Sequence, residues 1–499
     1  MPEDGGGKTQ IAAYEMLIDG AWVGASDGAS FESVNPATGA VWARIPEATQ
    51  ADVDRAVRAA HAAMTEGPWA RMTPSARGRV LNRLADLLAE HSEELGRVET
   101  LDTGKLFQET RWQARYIAEF FRFYAGAADK LTGETLPIDK PDLFVFTRRD
   151  PVGVVAAVVP WNSQLFLSAV KIGPALAAGC AIVLKASEHA AAPLLAFGRL
   201  IEAAGIPPGV VNIVTGHGEP CGRALTTHPL VARIAFTGGP AAAAHVIRNS
   251  AQNFAEVSLE LGGKSPILVF DDACLQSAVN GAVGGIFAAS GQSCVAGSRL
   301  YLQSKIADAV LARLAEIAQS IRLGDPMAEA TEMGPLCTEA QVATCEAQIA
   351  RAVAQGAKLV AGGARQEGGG RFFQPTILDC PRQDLDIVDT ELFGPVLCVL
   401  RFDDEAEALR LANDTRHGLA AGIFTRDGAR QHRLAAQIRA GIVWINTYRV
   451  ISPIAEFGGM QLSGYGRESG FQAVRDYTRA KTVWINTSDT PLDSQFVGR

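Results

Sequence analysis

Cys294 stands in Ala289-Ser290-Gly291-Gln292-Ser293-Cys294-Val295-Ala296-Gly297, thirty-four residues after Glu260 in Leu259-Glu260-Leu261-Gly262-Gly263-Lys264. A cysteine picked blind is most often an inert buried side chain. Here Gly291 and Gly297 keep the flanks slim, and Ser293 and Val295 beside the cysteine are neither bulky nor charged, so a carbonyl compound has room to approach. Glutamates are usually solvated, yet Glu260 lies between two leucines and before two glycines, where a solvated carboxylate gains little. Partial burial would raise its pKa and poise it as a general base. Pro160-Trp161-Asn162 adds a side-chain amide behind an apolar run. A soft nucleophile, a base and an amide donor are what thioester chemistry at a carbonyl carbon requires.

The elements that must position these groups are legible from periodicity. Leu81, Leu84, Leu87 and Leu88 predict one face of a helix starting at the capping signal Thr73-Pro74-Ser75, and a second helix is predicted over about 108–129. Short runs at Leu17-Ile18, Trp22-Val23 and Val41-Trp42 read as small strands, after a polar tail over 1–15. From Val152 the pattern is α/β. Val154–Val159, Ala181–Lys185, Val210–Val214 and Ile234–Thr237 read as buried strands, with a crossover helix over Leu165–Ala178. Such alternation predicts a parallel sheet with right-handed crossovers, and ligands bind beyond the carboxyl ends of its strands. A second α/β region follows, with strands near 266–270, 299–303, 395–402, 420–425 and 441–446. Leu143–Arg149 and Lys481–Asn486 read as two further strands.

The bulk properties narrow the function. The chain has 499 residues, 47% hydrophobic, 20% charged, with a formal net charge of −8. Its length allows about three ordinary domains. The acidic balance argues against nucleic acid as the main partner. No apolar stretch reaches the roughly 18–20 residues of a membrane span, and the N-terminus has no secretory pattern. Eight cysteines lie scattered with no Cys-x-x-Cys pair, which fits free thiols in a reducing, cytoplasmic setting. No zinc-spaced cluster is present, so no metal is expected. Gly216, Gly218 and Gly222 miss the Gly-x-Gly-x-x-Gly spacing, which taken alone counts against a dinucleotide.

Together these motifs resemble the aldehyde dehydrogenase superfamily, and the likeness extends from Asn35-Pro36-Ala37-Thr38-Gly39 through Met333-Gly334-Pro335-Leu336 to Phe457-Gly458-Gly459 and Ser463–Glu468. The resemblance implies an NAD-dependent enzyme in which Cys294 attacks the aldehyde and Glu260 activates water against the thioester. Asn162 and the Cys294 amide would form the oxyanion hole, with Lys171 and Glu468 relaying protons. For the cofactor it implies Val159, Pro160, Trp161, Gly218, Leu261 and Gly262 along the binding cleft. Gly238 and Gly239 would open a helix facing the pyrophosphate. Lys185 and Glu188 would hold the adenosine ribose, Glu188 repelling a 2′-phosphate, while Glu391 and Phe393 would meet the nicotinamide end. Three positions depart from the family pattern: Ala186 and Glu456 stand where proline is usual, and Gly239 where serine is usual.

The same resemblance implies a fold with a Rossmann-type cofactor domain (1–133 and 154–262), an α/β catalytic domain (263–470) and a small β oligomerisation element (134–153 and 471–499). A homodimer or homotetramer would follow. Ser163, Leu167 and Val170 would line the substrate tunnel with Ile451 and Phe457. Their modest size implies room for branched or ring-bearing aldehydes. Arg449 reads either as a substrate-carboxylate partner or, in preference, as one half of a structural salt bridge. The rival readings are a coenzyme A-acylating dehydrogenase, disfavoured by Glu260, a cysteine hydrolase, and a non-catalytic protein that keeps the fold.

Overall fold

The computed structural model describes residues 11–492; the remaining part of the expected polar tail, 1–10, and the end of the expected oligomerisation element, 493–499, lie outside the described residues. Two sheets organise the chain. The first has eight strands in the order Gly464–Tyr465, Glu256–Leu261, Val231–Gly238, Val154–Val158, Ala181–Ala186, Val211–Thr215, Met16–Ile18 and Ala21–Val23. Its five central strands are parallel. Val154–Val158 is apolar throughout, and the residues of all five strands are mostly buried, as a sheet covered by helices on both sides demands. Helices Pro74–Glu90, Phe107–Ala127 and Gln164–Ala178 cover one face. Gln50–Thr65 and Pro240–Ser250 cover the other.

Thr73 caps Pro74–Glu90 by accepting from the Ala76 amide, with Pro74 at the first helical position. Leu81, Leu84 and Leu88 are buried as expected, but Ala85, not Leu87, completes the face. The predicted tail is shorter than the sequence suggested: Ala12–Ala13 pair in parallel with Ala43 and Arg44 in a three-stranded sheet.

Strand order reverses beside Val154–Val158, which separates Val231–Gly238 from Ala181–Ala186. At such a switch point neighbouring crossovers diverge and leave a crevice at the carboxyl end. Asn162 and Thr237 both lie there. The register sets Thr237 opposite Glu260, and Glu260 opposite Gly464 on the antiparallel edge strand. A segment late in the chain thereby closes over Glu260.

The second sheet runs Lys358–Ala361, Thr376–Asp379, Val396–Phe402, Arg299–Gln303, Pro266–Val269, Ala420–Phe424 and Ile442–Ile445. Only Lys358–Ala361 is antiparallel to its neighbour. Apart from these sheets, Leu143–Pro151 and Thr478–Asn486 form a nine-residue antiparallel ribbon. It leaves Phe144, Trp484 and Ile485 exposed.

Candidate active site

Three consecutive residues before the cysteine adopt left-handed backbone: Ala289 (φ 53°), Ser290 (φ 54°) and Gly291 (φ 72°). Side chains at the first two positions are strained by this conformation. The turn persists because its groups are tied down. The Ala289 amide donates to Glu109, the Ser290 hydroxyl to the Gly334 carbonyl, and the Cys337 amide to the Gln292 side chain. Here the structure corrects the sequence reading of the flanking glycines. A Cβ on Gly291 would sit 2.2 Å from the Gly394 carbonyl oxygen, and one on Gly297 would sit 2.4 Å from Ile267. Both glycines make room for the protein's own packing rather than for a substrate.

Cys294 emerges from this turn, partly exposed, onto the wall of a cavity of about 810 Å³. Asn162, Glu260 and Glu468 line the same cavity. The Asn162 side chain donates one hydrogen to the Gln292 carbonyl (3.1 Å), which keeps its amide beside the cysteine. A second amide hydrogen is left over. The Cys294 backbone amide donates to no acceptor among the described residues. Glu260 is buried, and neither of its carboxyl oxygens has a partner among the described residues. Burial pushes its pKa well above the usual range, helped by the nearby Glu468, while Lys171 and Arg467 pull the other way. Lys171 is fully buried and donates to Thr237 (2.7 Å) and Glu468.

A second cavity of about 720 Å³ opens over the strand ends of the first sheet. Val159, Pro160, Trp161, Lys185, Glu188, Gly218, Gly238 and Gly239 line it, and Thr237 lines both cavities. Lys185 donates to Glu188 at 3.2 Å; burial favours the neutral acid, but the ammonium holds Glu188 below its ordinary pKa. Gly239 is the N-cap of Pro240–Ser250 and offers no side-chain cap, so the amides at that end are left for an anion. The other four cofactor candidates fall elsewhere. Leu261 lines the first cavity. Glu391 accepts from the Gly263 amide at 3.1 Å, and a Cβ on Gly262 would lie 1.8 Å from its carboxylate. Burial raises Glu391 to about 7. Phe393 meets Trp161 edge-to-face at 5.4 Å.

A sequence profile described as the Aldehyde dehydrogenase family matches residues 22–483. This chain belongs to the aldehyde dehydrogenase family. Its relatives include the (Z)-2-((N-methylformamido)methylene)-5-hydroxybutyrolactone dehydrogenase of Acinetobacter baylyi, 55% identical over 97% of this chain and 99% of that protein. Among solved structures, an NAD+ complex of aldehyde dehydrogenase from Bacillus cereus superposes with a TM-score of 0.94 at 42% identity, covering 95% of this chain and 97% of the other. Betaine aldehyde dehydrogenase from Staphylococcus aureus, a point mutant in complex with NAD+, gives a TM-score of 0.95 at 36% identity, covering 97% and 99%.

In this dehydrogenase all five expected tunnel residues, Ser163, Leu167, Val170, Ile451 and Phe457, line the cavity that holds Cys294. The sequence reading missed the opposite wall: Glu109, Trp112, Gln113 and Tyr116 from helix Phe107–Ala127, with Lys105 just before it. Their spacing of three and four is a helical stripe, and that was the available signal. Phe166 was missed as well. Arg449 makes no salt bridge among the described residues. Its guanidinium donates to the Gly284 and Ala288 carbonyls, at the end of helix Leu275–Ile286. Glu456 is exposed and lies over Gly470, outside the cavity wall. No helix is long and apolar enough to cross a membrane, and no cluster suited to a metal occurs among the described residues.

Burial, then the Glu391 and Glu260 carboxylates, push the Cys294 thiol up to about 12. Below that value the thiolate fraction grows about tenfold per pH unit. Alkylation of Cys294 by iodoacetamide in the cofactor-free enzyme is therefore expected to accelerate about tenfold per unit between pH 7 and 9, without a plateau. Peptide-resolved mass spectrometry must read it, because Cys274 is exposed and its thiol pKa is lowered, first by the Ser277 hydroxyl. A rate that levels off near neutrality would show the thiolate already formed.

Proposed function

We propose that this chain oxidises an aldehyde to a carboxylic acid with NAD, Cys294 being the nucleophile and Glu260 the base. The observation that carries the reading is the convergence of Cys294, Asn162 and Glu260 on one cavity that shares Thr237 with a second, cofactor-sized one. The residues present suit a dinucleotide: a helix start without a side-chain cap, the Lys185–Glu188 pair, and Gly218 and Gly239, where a Cβ would meet nothing within 4 Å. NAD, when bound, supplies the acceptor for the aldehyde hydrogen. Lys185 and Glu188 would hold the adenosine side, and Trp161, Phe393 and Glu391 would meet the nicotinamide end.

The Cys294 thiol gives up its proton to solvent, and the thiolate adds to the aldehyde carbon. The second Asn162 amide hydrogen and the Cys294 backbone amide stabilise the resulting oxyanion, each such donor contributing about 10²–10³ in rate. Loss of hydride leaves a thioester on the cysteine. Glu260, made more basic by burial, takes a proton from water as the water attacks that thioester, and the acid departs. Glu468, near Glu260 and bonded to Lys171, would take that proton onward, as the resemblance implies. The aromatic groups Trp112, Tyr116, Phe166 and Phe457, with Ser163 small among them, support a bulky, branched or aromatic substrate.

The division proposed is 1–133 with 154–262 for cofactor, 263–470 for catalysis, and 134–153 with 471–499 for oligomerisation; the two sheets support it except that Gly464–Tyr465 joins the first. The exposed apolar ribbon of Leu143–Pro151 and Thr478–Asn486 supports a homodimer or homotetramer. Eight unpaired cysteines support a reducing, cytoplasmic setting. The direct test is NADH formation with an aldehyde panel, with the free acid identified as product and no demand for coenzyme A.

Gly239 offers a finer test of the cofactor site. Restoring a hydroxyl there with Gly239→Ser should tighten NAD+ by about 2–10-fold in Kd, the worth of one hydrogen bond of about 0.5–1.5 kcal/mol. Calorimetric titration reads it directly. An unchanged Kd would mean that the pyrophosphate does not rest on this helix.

A further inference from the structure

Lys105 is a buried ammonium on the wall of the substrate cavity, and neither the catalytic chemistry nor the cofactor uses it. It is 3% exposed and forms no salt bridge with a carboxylate among the described residues. Its Nζ donates to the Gln113 side-chain oxygen at 2.6 Å and to the Ser163 hydroxyl at 3.0 Å. An ammonium has three hydrogens, so one remains. Ser163 accepts from the lysine and caps no helix amide, which leaves its own hydrogen to donate. The Gln113 amide nitrogen donates to nothing among the described residues, and that residue also lines the cavity. Three donors and a positive charge thus meet at one spot.

The cavity and its surroundings carry other charges as well. Arg449 adds a second cation. Glu468 is engaged by Lys171, and Glu260 is the base reserved for the water that attacks the thioester. Glu109 faces the cavity with one oxygen bound to the Ala289 amide. Glu99, behind Lys105, is fully buried with neither oxygen partnered; burial pushes it up, though Lys105 pulls it back. Keeping an unpaired cation out of water is costly unless a ligand completes its shell.

Resting on the dehydrogenase reading above, we propose that Lys105, with Ser163 and Gln113, binds a carboxylate on the aldehyde substrate, making the preferred substrates oxo-carboxylates. Lys105 is then a specificity-determining residue.

The test compares ω-oxo-carboxylates of increasing chain length with their methyl esters, by kcat/KM for NADH formation on the intact enzyme. Wild type should prefer the carboxylate at its best length. Lys105→Met should cut the carboxylate-to-ester ratio by about 10–100-fold, chiefly through KM, the scale of one charge-assisted contact. Lys105→Arg should retain more of the ratio. An equal loss on both series in Lys105→Met, or a wild-type preference for the ester at every length, would overturn the proposal. The second comparison needs no variant, so it decides even if Lys105→Met does not fold. NADH from the esters or from other aldehydes of the panel, but not from the carboxylates, would sink this proposal and leave the dehydrogenase reading standing; NADH from no aldehyde at all would sink both.

Discussion

Cys294→Ala is expected to reduce NADH formation to background with every aldehyde, a fall on the order of 10⁴-fold or more. The size follows from what the sulfur does. An aldehyde carbon is trigonal and holds its hydrogen firmly; addition of the thiolate makes it tetrahedral, with an oxyanion whose lone pair expels hydride. Asn162 and the free Cys294 amide can stabilise that oxyanion only after a nucleophile has created it. The substitution removes one atom from a partly exposed wall position, so folding and NAD+ binding should persist. A melting curve and a cofactor titration would confirm this. Mass spectrometry of wild type during turnover should locate an acyl group on the Cys294 peptide, absent from the variant. An adduct that persists on another cysteine, with turnover intact, would remove the central claim of the mechanism.

What the sequence revealed of this arrangement depended on how local the signal was. Val154–Val158 is an uninterrupted apolar run and Ala181–Ala186 is broken only by Lys185, and burial on both faces leaves that imprint. Cys294, Glu260 and Asn162 were legible because each sits in a motif whose chemistry is complete within a few residues. The edge strand Lys358–Ala361 and its neighbour Thr376–Asp379 were missed: four residues each, too short for alternation to register. Arg449 was misassigned because its acceptors are backbone carbonyls more than 160 positions away in the chain, and carbonyls carry no sequence signature. Gly291 was misread for the same reason, since the backbone of Gly394 that excludes its side chain is invisible until the chain is folded. The Lys105–Gln113–Ser163 cluster joins a helix, the loop before it and a strand exit. Only the tertiary structure places those donors together.

Glu260→Gln should separate the two halves of the reaction. The replacement is nearly isosteric, which matters because Gly458 lies against the carboxyl: a Cβ there would approach Oε1 to 2.7 Å. Glutamine removes the base but leaves Cys294, Asn162 and the cofactor cavity in place. One equivalent of NADH per active site should therefore appear at near-normal rate. Turnover should then stall by about 10²–10⁴-fold, the usual contribution of a positioned base. The acyl group should accumulate on Cys294, and hydroxylamine, a nucleophile that needs no base, should release it. The charge change predicts a second, independent effect. The Glu260 carboxylate is among the groups that raise the Cys294 thiol, so a neutral amide lowers that pKa and alkylation at a fixed pH becomes faster. A variant that alkylates faster yet gives no burst would place Glu260 before the thioester, as the group that deprotonates the attacking sulfur. A burst followed by a stall assigns it to the water.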